Sequence, residues 1–317
     1  MTKKQRVEAS LAGKPFDRPP VSFWYHFGTQ HEKGERIAEL ELEFVRYYDL
    51  DYLKLMNDYY YPMPEGRTEL KTAADLKAIQ PFDIHKSPWA EQLKAIDILA
   101  RELKDEVYFI DTVFDPWQIL LRNLVGENLM DLVQTAPQEI LSALEIITDN
   151  VVNYCREAIH RGAAGVFVST FSAEKQMPKE VYMRFAYPFV KRIFEELKDH
   201  GIMNTIHLHD YGIWVDEMIQ VPAQIISYED TDPSNPSMPE LRKKWSGSIM
   251  AGMDKNRITR VTPEAARQNA LAGIAAGGPT RFFLAPGCSF PTWMYPDSGT
   301  LIVDAVKASA GTGTASR

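Results

Sequence analysis

Three side chains in this sequence have the chemistry of zinc ligands: His207 and His209 in "MNTIHLHDYG", and Cys288 in "APGCSFP". The histidines stand two apart at the end of an apolar run. Side chains at i and i+2 of a strand point the same way, so the two rings can converge. Before the cysteine, Gly287 permits a close backbone turn and Pro286 stiffens the approach. Two imidazoles and one thiolate suit Zn²⁺, and three protein ligands leave a fourth position open for substrate, which is the pattern of a catalytic site. The same residues have a plainer use. A histidine pair at a strand end can be hydrogen-bonded or solvated, and a lone cysteine is commonly buried filler. On a regular strand Asp210 faces away from the histidines, placed to steady the loop or to reach round as an orienting partner.

Something must bring residues 207–209 and 288 together. Apolar runs of strand type recur at 19–27, 52–58, 107–114, 165–171, 204–210, 224–230, 248–254 and 281–288. Most are continuous rather than alternating, as in parallel strands covered on both faces, and the segments between them have helical period. Ile140, Leu144, Ile147, Val151, Tyr154 and Ala158 make one apolar stripe, with Thr135 and Gln138 as a capping box, Pro137 in the first turn and Gly162 as the terminator. Thr262, Pro263 and Gly277 punctuate a second helix in the same way. Eight strand–helix units without an internal linker predict an α/β fold, a single (β/α)8 barrel over 1–308, followed by a small, polar, flexible tail at 309–317. The competing doubly wound sheet has no glycine-rich phosphate loop to support it.

A barrel collects its functional groups at the C-terminal ends of its strands. Those ends carry His26, Asn57 and Asp58, Asp111 and Asp115, Ser172 and Glu174, the histidine pair, Glu229 and Asp230, Asp254, and Cys288. The other cysteine, Cys155, falls in a helix and reads as inert core. The 317 residues carry a net charge of −8, which argues against a nucleic-acid or anionic-membrane surface. No apolar run reaches the ~18–20 residues that span a bilayer. The basic start "MTKKQRVEASLAG" has no apolar segment after it, and two cysteines make no disulfide framework, so a cytoplasmic setting is expected.

Several segments together resemble the uroporphyrinogen decarboxylase superfamily: "RVEASLAGKPFDRPPVSFW", "RGAAGVFVST", "EVYMRFAYPFVKRIFEELKDHGIMNTIHLHDYG", "IISYED", "IMAGMD" and "GGPTRFFLAPGCSFP". The resemblance covers nearly the whole chain and implies a (β/α)8 barrel. True decarboxylases of this kind hold their polycarboxylate substrate with an arginine-rich segment of RQAGRY type. Here the corresponding stretch is "FWYHFGTQHEKGER", which lacks it. The other branch comprises zinc-dependent methyltransferases that work with methylcorrinoid proteins and thiols, with an H-x-C pair after strand five and a further cysteine after strand eight. His207 and Cys288 match that pattern; His209 departs from it by standing where the branch has cysteine. Exchanging thiolate for neutral imidazole makes the site one charge less negative, so a bound zinc is a stronger Lewis acid and a coordinated thiolate a poorer nucleophile.

The resemblance therefore implies methyl transfer between a methylcorrinoid on a partner protein and a small-molecule thiol or other nucleophile. The donor is expected on a separate protein, because no D-x-H-x-x-G corrinoid signature occurs in the chain. Zn²⁺ would sit on His207, His209 and Cys288, with Glu174 or Glu229 as an extra, displaceable ligand. A homodimer is compatible with the resemblance. Tyr59, Tyr60 and Tyr61 could line the mouth or pack as an aromatic lid on their own loop. Two rival readings stand beside this one. The first is a lyase or decarboxylase on a smaller substrate, with Asp58 or Asp111 as acid. The second is a non-catalytic barrel that binds a tetrapyrrole or corrinoid carrier.

Overall fold

Strands form where the apolar runs predict them. In the computed structural model, which describes residues 1–258 and 262–310 (backbone alone at Arg257), there are seven: β1 (Tyr52–Leu55), β2 (Tyr108–Phe114), β3 (Gly165–Thr170), β4 (Thr205–Leu208), β5 (Ile225–Tyr228), β6 (Ser248–Met253) and β7 (Phe282–Pro286). All pair in parallel and in chain order, making one curled sheet. Every residue of β3, β4, β5, β6 and β7 is buried, which explains why the runs do not alternate.

The first expected strand, 19–27, does not form. Pro19 and Pro20 have no N–H to give, and the N–H of Val21 goes to the Asp51 carboxylate at 3.0 Å instead of a ladder. The segment nonetheless touches both edges of the sheet. Val21 bridges Leu284 of β7, Ser22 N–H donates to Leu284 at 3.2 Å, and Asp51 N–H, just before β1, donates to Val21 at 3.0 Å.

Period two sorts the strand residues into two cores. Tyr52, Met56, Ile110, Phe167, Ile225, Met250, Phe283 and Ala285 point inward and pack with Trp24 and Met203. The larger cluster fills the space between strands and helices. The helix Lys3–Ala12 contributes Val7 and Leu11 to the inner core. Its Ser10 hydroxyl donates to the Phe282 carbonyl at 3.0 Å, and its Ser10 carbonyl accepts from Ser248 at 3.1 Å.

The predicted apolar stripe is the buried face of the helix Pro137–His160, with Cys155 fully buried among it. Thr135 does not cap it. The chain is already helical over Leu129–Thr135, so the Thr135 hydroxyl bonds back to the Asp131 carbonyl at 2.9 Å and Ala136 becomes the joint. The second helix, Pro263–Gly277, is capped by Thr262 as expected. Helix Pro296–Ser309 reaches into the expected tail, and 311–317 lie outside the described residues. No helix among the described residues is long and apolar enough to cross a membrane.

Candidate metal centre

β4 aims His207 into the hollow of the curled sheet. Its Nδ1 lies 3.2 Å from the hydroxyl of Ser227 on β5, and its ring stacks on Phe167 of β3 with centroids 5.0 Å apart. His209 lies one residue past β4, yet its N–H still donates to the Thr170 carbonyl at 2.9 Å, so the strand geometry continues through it. Its ring meets the edge of Phe171 at 5.4 Å and stands 5.7 Å from His207, perpendicular to it. Cys288 follows β7. The turn is anchored by Gly287 N–H on the Met253 carbonyl at 3.3 Å.

These three side chains converge: one ligand atom from each of His207, His209 and Cys288 lies within 4.8 Å of the others. Among the described residues His207 Nε2 and His209 Nδ1 are buried without a well-formed hydrogen bond. Buried polar atoms rarely stay so, and the group that faces both rings is the Cys288 thiol, a set of three that a cation between them would satisfy together. Ligand atoms on a tetrahedral zinc lie roughly 3.3–3.8 Å apart given its bond lengths, so side-chain adjustment alone would close the group. The protonation states also fit. Burial lowers the pKa of His207 and keeps the ring neutral. Burial works against ionisation of the Cys288 thiol, but the approach of both imidazoles outweighs it and carries that thiol well below its ordinary range. Neutral imidazole and thiolate are the forms that bind metal.

The acids named from the sequence are placed differently from one another. Glu229 is buried against the backbone of Gly287, with Oε1 taken by the Thr231 hydroxyl and Oε2 without a partner; burial pushes it up to about 7. Glu174 is exposed beside Gly212. Neither joins the three-ligand group. Asp58 holds the ring of His26 at 2.7 Å and accepts from the N–H groups of Gly28 and Thr29. Asp210, with a positive φ of 83°, takes Lys175 and Gln176 on its carboxylate and steadies the loop. Asp111 is buried under Tyr154 and Gln92, at 2.6 and 2.9 Å, and burial raises it to about 6. Tyr59 and Tyr61 are packed down; Tyr60 is 58% exposed and lines a cavity of about 390 Å³ with His26 and Asp58.

Two features have no spacing signal in the sequence. One is the His26–Asp58 pair. The other is Lys54, the inward residue of β1, only 3% exposed. Burial draws its pKa down to about 8.

Residues 2–309 match the family described as Uroporphyrinogen decarboxylase (URO-D). The chain belongs to that family. Curated URO-D relatives are distant. The uroporphyrinogen decarboxylase of Shewanella amazonensis is 22% identical over 63% of this chain and 63% of its own length. That of Pseudoalteromonas translucida is 22% identical over 84% and 85%. Among solved structures, a methyltransferase from Methanosarcina mazei superposes on this URO-D member with a TM-score of 0.77 at 14% identity, covering 97% of this chain and 99% of that one. A putative vitamin-B12 independent methionine synthase from Listeria monocytogenes reaches a TM-score of 0.58 at 10% identity, covering 93% and 97%. These structural likenesses establish shared architecture.

Proposed function

We propose that this URO-D family member is a zinc-dependent methyltransferase that moves a methyl group between a corrinoid on a partner protein and a thiol or other nucleophile. The observation that carries the reading is the convergence of His207, His209 and Cys288. The shape likeness to a methyltransferase over nearly the full chain supports it, as does the absence of an arginine-rich segment at "FWYHFGTQHEKGER". In this reading residues 20–25 stand at the eighth position of a (β/α)8 barrel, closing it through Leu284 and Asp51.

When bound, zinc deprotonates a coordinating thiol at neutral pH and lowers the barrier to its attack on an electrophilic methyl. The chain's residues do the rest. Ser227 holds the His207 ring through Nδ1, and its hydroxyl can accept the Nδ1 proton so that Nε2 is left to meet a metal. Phe167 stacks on the His207 ring and Phe171 packs edge-on with that of His209, which restricts the motion of both. Of the two acids proposed as displaceable ligands, Glu229 has the free oxygen and the position behind the Cys288 turn, while Glu174 stays at the rim. Asp58 orients His26, which opens onto the cavity lined by the ligand group.

Metal analysis of freshly purified protein tests this: about one zinc per chain is expected, lost in His209→Ala with the fold retained by circular dichroism. Unaltered zinc content in that variant overturns the ligand assignment. Demethylation of methylcobalamin by a thiol that requires the zinc-loaded protein, and that His209→Ala loses, supports methyl transfer; the same rate in His209→Ala overturns the role of the metal centre in it. The names of the curated relatives favour a second reading, a decarboxylase using Asp58; it requires carbon dioxide release that Asp58→Asn abolishes.

A further inference from the structure

Two cations are buried among the described residues, Arg18 and Lys54. Arg18 is paired with Asp51. Lys54 has no carboxylate partner: its ammonium lies 3.3 Å from the Met56 sulfur, 4.5 Å from the Phe167 ring centroid and 5.1 Å from that of Trp24. A thioether and two ring faces are weak company for a buried charge, which ordinarily requires a counter-ion. Lys54 opens into a cavity of about 110 Å³, whose wall also includes Arg122, His207, His209 and Cys288. Phe167 links the two ends, lying under the Lys54 ammonium and stacked on His207. At the entrance Arg122 rides on a π-helical turn, Leu120–Val125, with its guanidinium 4.6 Å above the Phe114 ring and no ion pair among the described residues. A π-turn is a frequent mark of a functional segment.

We infer that Lys54, with Arg122 at the entrance, binds a carboxylate of the small-molecule substrate. The substrate is then a compact molecule whose carboxylate is a few atoms from the group that reaches His207, His209 and Cys288. The carboxylates that act on Lys54, those of Glu41, Asp58 and Asp111, do so from beyond ion-pair distance, which leaves its ammonium free to meet an anion in the cavity. The space beside Lys54 admits only a handful of heavy atoms, and a cavity of about 600 Å³ adjoins it at His209 and Cys288. The role given to the reacting atom rests on the methyl-acceptor reading; anion binding by Lys54 does not.

Isothermal titration of the zinc-loaded full chain with 3-mercaptopropionate and 2-mercaptoethanol, which differ in the carboxylate, tests the inference. The carboxylate thiol should bind about ten-fold tighter or better, the worth of a charge-assisted hydrogen bond. Lys54→Met should bring the ratio near unity while zinc content and melting hold. Arg122→Gln, an exposed change that spares the fold, should reduce it in part. Equal binding of the two thiols by the wild type, or a preference that persists in Lys54→Met, overturns the inference. If Lys54→Met fails to fold, an unreduced preference in Arg122→Gln overturns it instead. Should the chain take up no zinc, propionate is titrated into the metal-free protein. Binding that Lys54→Met removes then upholds the carboxylate site although the transferase reading has failed, and no binding sinks both.

Discussion

Replacing Gly287 by alanine tests whether the cysteine turn is built to reach the histidines. A methyl group there would lie 2.6 Å from the Cα of Glu229 and 2.5 Å from its Cδ. Ordinary carbon contact is about 3.5 Å or more, so the turn must retreat by about 1 Å. The obstacle is backbone, and no rotamer change relieves it. Zinc–ligand distances tolerate about ±0.2 Å, several times less than that retreat. Zinc affinity of Gly287→Ala should therefore fall by at least the ~10–100-fold typical of disturbed supporting shells. The overpacking itself should cost about 1–3 kcal/mol of stability. Competition with a chromogenic chelator measures the first effect, and denaturation in excess chelator measures the second without the metal. An affinity within about two-fold of wild type would refute the claim that Gly287 sets the position of Cys288.

Asp51→Ala removes the carboxylate shared by Arg18, Arg6 and the Val21 N–H. It should cost about 3–5 kcal/mol and lower the melting temperature by roughly 5–15 °C; a fall under about 2 °C would show that the segment is held by other means. Glu41 is buried, and burial pushes it from 4.5 up to about 8. Between those values the folded chain keeps a proton that the unfolded chain has released, so this group erodes stability as pH rises from about 5 to 8. Glu41→Gln should thus gain on the wild type across that window by a few kcal/mol, read by urea unfolding at several pH values; parallel curves would contradict it.

The convergence of His207, His209 and Cys288 was legible because two regularities coincide in it. Period two put His207 and His209 on one face, and the run of strands put Cys288 at the neighbouring rim. Strands β1–β7 were visible as apolar runs bounded by polar residues. The 19–27 run failed because apolarity says nothing about where N–H groups go, and there two prolines and Asp51 decide that. Thr135 misled for a related reason: capping chemistry reads the same whether or not the preceding residues are already helical. Lys54 hid inside "YLKLMND", where a single cation looks like an edge residue and only the curl of the sheet turns it inward. The His26–Asp58 contact joins residues 32 apart on different segments, a pairing no local pattern announces.

The docking of helix Lys3–Ala12 against the sheet sets an order of events. Ser10 grips Phe282 across 272 residues, so this helix waits for β7, the last strand described, to emerge. At about 5–20 residues per second on the ribosome, that interval is on the order of tens of seconds. Throughout it Val7 and Leu11 have no mature seat, and their apolar surface stays without its inner-core partners until synthesis delivers β7.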